Sequence, residues 1–181
     1  MIENPITSER IAFRVTGGET QGRNCEADLF VGPGGYAAAE HIHPRQEERF
    51  EIQRGLLRLR VNGTERVLRA GDTAVIPPGT RHVWSNGGED GLHVVLRFSP
   101  ALNTEAFFES YFGLASEGRT NSKGMVTNPF QLAVLIAEFS QFIVPTRPPR
   151  WVQRLVATLA PVARRLGYRV RPAPRPVSRV A

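Results

Sequence analysis

The sequence predicts a mainly β fold, a barrel or sandwich of short strands, followed by an α-helical extension at the C-terminus. Between about residues 10 and 100, runs of alternating apolar and polar residues are separated by Gly- and Pro-rich turns. Short strands repeated at such spacing are typical of sandwiches and barrels. Beyond Pro100 the apolar residues recur at helical spacing instead, which predicts helices.

The strands are justified by alternation and by the turns that bound them. The residues Gly32-Pro33-Gly34-Gly35 allow a tight corner, and Asn62-Gly63 is typical of a two-residue hairpin. The predicted strands cover residues 10–16, 26–31, 36–43, 49–54, 56–61, 65–69, 73–76, 82–85 and 92–98.

Three helices are predicted in the extension. The first covers residues 104–115, and the second begins after an N-cap at Asn128, with Pro129 at its first position, and continues to about Val144. The third covers residues 150–166, with a kink expected at Pro161. Its apolar face is formed by Trp151, Leu155, Val156, Leu159, Val162, Ala163 and Leu166.

Composition predicts a soluble globular protein. The chain has 181 residues, of which 41% are hydrophobic and 22% charged, enough for one domain with an appendage. Cys25 is the only cysteine, so nothing indicates an oxidising compartment. The first residues lack the features of a signal peptide, and the longest apolar stretch, residues 130–144, is too short to span a membrane. We therefore expect a cytoplasmic protein.

The net charge of +6 is concentrated at one end of the chain. Residues 145–181 contain nine arginines and no acidic residue. Charge alone permits nucleic-acid binding, but no recognition motif supports it, so no nucleic-acid partner is expected. Contact of the third helix with a membrane surface is an alternative to its packing on the protein itself.

Three of the four histidines lie within one stretch, residues 35–86. His41 and His43 are two residues apart and would point to the same face of a strand. Glu48 shares its face with Phe50 and Ile52, which is the face to bury. A carboxylate on a buried face requires a positive partner. Together with His82, these residues predict a site for one divalent transition metal, which could be iron, manganese, nickel, copper or zinc.

The same stretch resembles the cupin superfamily. Gly35, His41, His43, Glu48 and Gly55 have the spacing of the first cupin motif. The second motif is matched by Gly71, Pro77, Gly79, His82 and Asn86, and fifteen residues separate the two motifs. The resemblance implies a double-stranded β-helix, or jelly-roll, cupin barrel over residues 10–100. It also implies His41, His43, Glu48 and His82 as metal ligands, with Glu48 preferred over Glu47.

The resemblance is specific for the fold and the metal site but not for an activity, because cupins include dioxygenases, decarboxylases, isomerases, seed-storage proteins and sensors. Among these activities we expect a small-molecule oxygenase of the dioxygenase type. Four protein ligands leave up to two positions of an octahedral ion for water, dioxygen or a bidentate substrate. Glu48 would also serve as a catalytic base, as in flavonol-cleaving cupins. The expected substrate-binding walls are Phe50, Ile52, Val75 and Trp84.

Two other functions stay open from the sequence. One is a non-catalytic binding or sensing cupin whose extension contacts a partner. The other is a non-oxidative isomerase, cyclase or decarboxylase. The expected partners are a small-molecule ligand or substrate and a second copy of the chain, since cupins are often homodimers.

The helical extension, residues 101–168, is expected to pack on the barrel or at a dimer interface. Residues 169–181 are Arg/Pro-rich and are expected to form a flexible tail.

Overall fold

A computed structural model describes residues 1–170 of the chain. This part of the chain contains eleven strands and four helices, and the last strand lies between the second and third helices. The strands are β1 (Ile2–Asn4), β2 (Glu9–Val15), β3 (Cys25–Val31), β4 (His41–Ile42), β5 (Glu47–Arg54), β6 (Leu56–Val61), β7 (Thr64–Arg69), β8 (Thr73–Ile76), β9 (Arg81–Asn86), β10 (Leu92–Ser99) and β11 (Val144–Pro145). The helices are α1 (Thr104–Ser116), α2 (Pro129–Phe139), α3 (Arg150–Ala157) and α4 (Ala160–Arg165).

The strands form two antiparallel sheets. One sheet has the order β1-β2-β3-β10-β5-β8, and the other has the order β11-β4-β9-β6-β7. Strands distant in sequence are neighbours in both sheets, as the pairing of β3 with β10 illustrates. The predicted fold class, a mainly β jelly roll with a helical C-terminal extension, is confirmed.

The core lies between the sheets and follows the alternation of the strands. In β3 the side chains of Cys25, Ala27, Leu29 and Val31 are buried, whereas those between them are half-buried. On β5, Phe50 is fully buried. Since a strand turns successive side chains to opposite faces, this alternation fixes which side chains can reach the interior.

The extension shares this core. Phe112 of α1 and Phe142, which follows α2, belong to the same buried cluster as the barrel residues. Beyond α2 the chain joins the second sheet, where Val144 pairs with Ile42 and Pro145 with His41. α1 and the segment after α2 therefore pack on the barrel of their own chain, whereas α3 and α4 pack on α2.

The second predicted helix is shorter than expected. The N-cap at Asn128 is confirmed, because its side chain accepts hydrogen bonds from the backbone of Phe130 and Gln131. The helix ends at Phe139 rather than near Val144. Pairing of Val144 with β4 provides backbone partners that the helix could not, and tertiary pairing overrides the helical apolar pattern.

The third predicted helix is divided into α3 and α4. Pro161 has no backbone N–H to donate to the preceding turn, and the division lies at Thr158 and Leu159. The apolar face expected for this helix mostly points outward. Only Ala163 of that set is fully buried. Val156 is half-buried, and the other large side chains are exposed.

Two further features concern the ends and length of the elements. Of the predicted tail, residues 169–181, only Arg169 and Val170 lie within the described residues. None of the helices within residues 1–170 combines the length and the apolar character needed to cross a membrane.

Substitution of Gly55, which lies between β5 and β6, would test how closely the barrel is packed at this position. Its φ is +83°, and a Cβ atom there would lie 2.9 Å from the Gly91 carbonyl oxygen. We expect Gly55→Ala to lower the free energy of unfolding by about 2–4 kcal/mol, because backbone strain and a steric clash add. Chemical denaturation would measure this.

The matched control is Gly63→Ala. Gly63 has a similar φ of +87°, but no atom lies within 4 Å of the added Cβ. Its loss should be about 1 kcal/mol, from backbone strain alone. Equal losses for the two variants would contradict the predicted clash.

Candidate metal centre

Four polar side chains converge between the two sheets. Glu48 belongs to β5 of the first sheet, whereas His41 and His82 face each other as a cross-strand pair of β4 and β9 in the second. His43 lies just beyond β4. All four residues are buried, and one potential ligand atom from each lies within 4.8 Å of the others. The structure thus brings together all four of the predicted ligands.

The three imidazoles are held in place by backbone carbonyl oxygens. The Nδ1 atom of His41 lies 2.8 Å from the Ala39 oxygen, and that of His82 lies 3.0 Å from the Thr80 oxygen. The Nδ1 atom of His43 lies 2.8 Å from the oxygen of Phe142, in the extension. Since a carbonyl oxygen only accepts, each Nδ1 donates its hydrogen.

Fixing Nδ1 directs each Nε2 toward the centre of the cluster. The Nε2 atom of His82 donates to Glu48 Oε2 at 2.8 Å, and His43 Nε2 lies 3.3 Å from the same oxygen. Second partners on metal-binding histidines orient the rings and set the tautomer in this way.

The charges of the cluster are strongly coupled. Burial opposes ionisation of Glu48, but His43 and His82 outweigh it and hold the pKa of this carboxyl well below its usual value. Burial also opposes protonation of His82, yet Glu48 raises the pKa of that imidazole. Burial and the charges of His82 and His43 lower the pKa of His41 to about 3, which leaves its Nε2 with a free lone pair.

These residues fit a divalent transition metal. Three imidazole nitrogens and one carboxylate oxygen suit such ions, and they are already desolvated and oriented. A cation would take the place of the proton that His82 shares with Glu48, as metal binding generally displaces protons from its ligands. The donor set alone does not select one metal.

An apolar cavity of about 160 Å³ opens onto the cluster. His41, His43 and Glu48 line one part of it. Its roof comes from the extension and includes Phe107, Phe108, Tyr111, Leu135, Phe139 and Ile143. An engineered protein cavity of about 150 Å³ accommodates benzene, so this volume suits a small organic molecule.

The predicted substrate-binding walls need correction. Trp84 does line the cavity. Phe50 and Ile52 are not among the lining residues, since they are buried in the core of the barrel. Val75 is 43% exposed. It pairs with the outward-facing Arg49, while its neighbours Ala74 and Ile76 pair with Phe50 and Glu48, so the prediction that Val75 faces the interior is wrong.

Glu9 is a cavity residue that the sequence reasoning missed. It is 5% exposed and lines the same cavity as the cluster, and its carboxyl accepts a hydrogen bond from Thr7 Oγ1 at 2.5 Å. Burial raises its pKa to about 8, although the Thr7 hydrogen bond opposes the change. Glu9 has the strand parity of Ile11 and Phe13, so the alternation of β2 contained the signal.

Phe142 was also missed, for a different reason. Its contribution is a main-chain carbonyl oxygen, and it is separated from His43 by 99 positions in the sequence. No residue type or spacing marks such a role, because every residue carries a carbonyl group.

Comparison with known proteins agrees with the fold and the cluster. Residues 29–97 match the family model described as the cupin domain, and this range includes all four clustered residues. Residues 29–97, which form most of the barrel, therefore match the cupin domain, and the two antiparallel sheets have the jelly-roll arrangement.

Several individual proteins are similar to parts of the chain. A curated oxidoreductase from the fungus Arthrobotrys oligospora is 27% identical over 121 residues, which cover 62% of this chain and 46% of the relative. This chain thus matches less than half of that protein's length.

Matches to solved structures extend over about half of this chain. Recombinant oxalate oxidase in complex with glycolate is 28% identical, with a TM-score of 0.45, and the match covers 52% of each chain. KdgF from Halomonas sp. is 19% identical, with a TM-score of 0.49, over 55% of this chain and 86% of its own. A predicted oxalate decarboxylase from Thermotoga maritima is 20% identical, with a TM-score of 0.49, over 51% and 80%.

The buried carboxyl of Glu9 predicts a pH-dependent stability. The folded protein keeps the proton of Glu9 up to about pH 8, whereas the unfolded chain releases it near the ordinary value of 4.5. The folded state therefore binds more protons between these values, and this group lowers the free energy of unfolding as pH rises through them. The slope would be up to about 1.4 kcal/mol per pH unit.

Glu9→Gln removes this titration. The free energy of unfolding of the variant should therefore increase relative to that of the parent as pH rises. Denaturation at a series of pH values would measure it. Glu3→Gln, at an exposed position on β1, is the control for loss of a carboxylate. A pH-independent difference for Glu9→Gln would contradict the prediction.

Proposed function

We propose that this protein is a metal-dependent oxygenase acting on a small, largely apolar organic molecule. The observation that carries the proposal is the opening of the four-residue cluster onto the apolar cavity. A catalytic metal site requires both a set of ligands and room for a substrate beside them, and this arrangement offers both.

The ligands would be His41, His43, Glu48 and His82. A bound transition metal would supply a Lewis acid and a template at which an organic substrate is oxygenated. The three imidazoles are oriented by backbone carbonyl groups. Glu48 is ionised beside His43 and His82 and would also act as the base that accepts a proton from the substrate.

The lining of the cavity indicates the class of substrate. Aromatic and aliphatic side chains surround most of it, so they would exclude water and favour an aromatic or alicyclic molecule. Trp84 would stack on such a ring. Glu9, protonated at neutral pH, would donate a hydrogen bond to a polar substituent of the substrate.

The curated relative supports an oxidative rather than a non-oxidative reaction, because it is described as an oxidoreductase. The predicted homodimer and the predicted cytoplasmic location stay predictions.

Metal content of the purified protein is the direct test. The chain should be prepared without a metal-chelating affinity tag, and its metals measured by mass spectrometry. We expect close to one iron, nickel, copper or manganese ion per chain. His82→Ala and Glu48→Ala should each reduce the metal content at least roughly tenfold, since each removes a buried ligand.

Two variants provide matched controls. His93 lies on the outer face of β10, where its Nε2 contacts Asp28, so His93→Ala removes a histidine outside the cluster. Glu47→Ala removes the exposed carboxylate adjacent to Glu48. Both should retain the metal.

A protein that contains no metal and binds none of these ions would overturn the site itself. A metal-loaded protein that consumes no dioxygen with phenolic or dicarbonyl substrates would retain the site but overturn the oxygenase. Zinc as the native metal would favour an isomerase-like or structural role instead.

A further inference from the structure

The outer surface of α3 and α4 carries an apolar ridge that nothing within residues 1–170 covers. The ridge consists of Trp151, Leu155, Leu159, Val162 and Leu166, whose side chains are 69%, 63%, 38%, 49% and 61% exposed. Trp151 and Leu155 lie one turn apart on α3, Leu159 lies at the junction of the two helices, and Val162 and Leu166 lie about one turn apart on α4 and at its C-terminal end. Large contiguous apolar surfaces of this kind mark interaction sites.

Specific contacts on the opposite face turn the ridge outward. Gln153 is buried, and its side-chain amide donates to the carbonyl oxygens of Pro145 and Pro148 at 2.8 and 2.7 Å. Ala160 and Ala163 are buried, and small residues there allow close packing on the protein. Beyond α4, Tyr168 stacks on Phe130 of α2, with ring centroids 5.7 Å apart. The helices are therefore held at both ends with their polar and small residues inward.

The charged side chains around the ridge are positive except for Glu138 of α2. Between residues 139 and 170 there is no acidic residue. The exposed cations on and beside α3 and α4 are Arg147, Arg150, Arg154, Arg164, Arg165 and Arg169. Arg164 is paired with Glu138. Residues 171–181 add three more arginines and no acid to the sequence.

We propose that α3 and α4 form a docking surface for an anionic phospholipid bilayer. An apolar ridge flanked by cations is the pattern of helices that lie in the membrane interface. The leucine and valine side chains would enter the acyl boundary, Trp151 would lie near the headgroup level, and the arginines would face anionic lipid headgroups, each adding electrostatic attraction.

Charge favours a membrane over two other possible occupants of the ridge, which are a second copy of the chain and the segment after residue 170. A second copy docked through the same ridge would bring two arginine-rich surfaces together, which like-charge repulsion opposes. The segment after residue 170 carries the same sign of charge, so it too is a poor electrostatic match. This proposal does not depend on the metal centre or on the reaction proposed above.

Co-sedimentation of the full chain with vesicles tests the proposal. We expect binding to vesicles of equimolar phosphatidylcholine and phosphatidylserine, much weaker binding to phosphatidylcholine alone, and weakening at high salt. Tryptophan fluorescence should shift to the blue on binding. Since Trp84 is only 6% exposed, the shift would come from Trp151, and Trp151→Phe should abolish it while most of the binding remains.

The double variant Leu155→Gln/Leu159→Gln should reduce the bound fraction at least roughly tenfold, because it removes apolar area that enters the bilayer. Its matched control is Val67→Gln/Val75→Gln, which replaces two exposed apolar residues elsewhere. Arg150→Gln/Arg154→Gln should weaken binding to anionic vesicles, whereas Arg66→Gln/Arg69→Gln on β7 should not.

Absence of binding to anionic vesicles would overturn the proposal, as would equal binding by the Leu155/Leu159 variant and its control. Measuring the molar mass of the protein in solution distinguishes membrane binding from dimer formation through the ridge. A dimer of the parent that the Leu155/Leu159 variant converts to a monomer, without vesicle binding, would assign the ridge to a second copy instead.

Discussion

Burial of the Glu48 carboxylate between two sheets is the constraint on which the site depends. An ionised carboxylate in the interior is costly unless charged or hydrogen-bonding groups compensate it. His43 and His82 provide that compensation through Nε2 atoms 3.3 and 2.8 Å from one carboxylate oxygen. They can do so only because their Nδ1 atoms are engaged by carbonyl oxygens. Backbone carbonyl oxygens thus orient a buried polar cluster. The orientation in which the histidines compensate the carboxylate is also the one that suits a metal.

The cavity gives this cluster its chemical context. A polar centre lies at one part of a space lined mainly by aromatic and aliphatic side chains, and Glu9 is a further polar group that lines the same cavity. In low dielectric surroundings, electrostatic interactions are stronger than in water. A ligand that enters would therefore meet few polar groups, each with a large effect on its orientation.

The sequence predicted the barrel and the cluster well because both follow from strand alternation and fixed spacing. Glu48 could be placed inward from its parity with Phe50 and Ile52, and the structure agrees. Val75 was misplaced because a four-residue strand, β8, offers too little alternation to show which face is buried. The early end of α2 and the outward ridge of α3 could not be predicted, since they depend on contacts with β4 and on Gln153, which lie outside the local pattern. The role of the Phe142 carbonyl left no trace in residue type.

The segment from Phe139 to Pro145 contributes both to the lining of the cavity and to the positioning of the cluster. Phe139, Phe142, Ile143 and Pro145 line the cavity, while the Phe142 carbonyl orients His43 and Pro145 pairs with His41. Any displacement of this segment that widens the cavity would also loosen two of the four clustered side chains. Access to the interior and the geometry of the cluster therefore depend on the same seven residues of the chain.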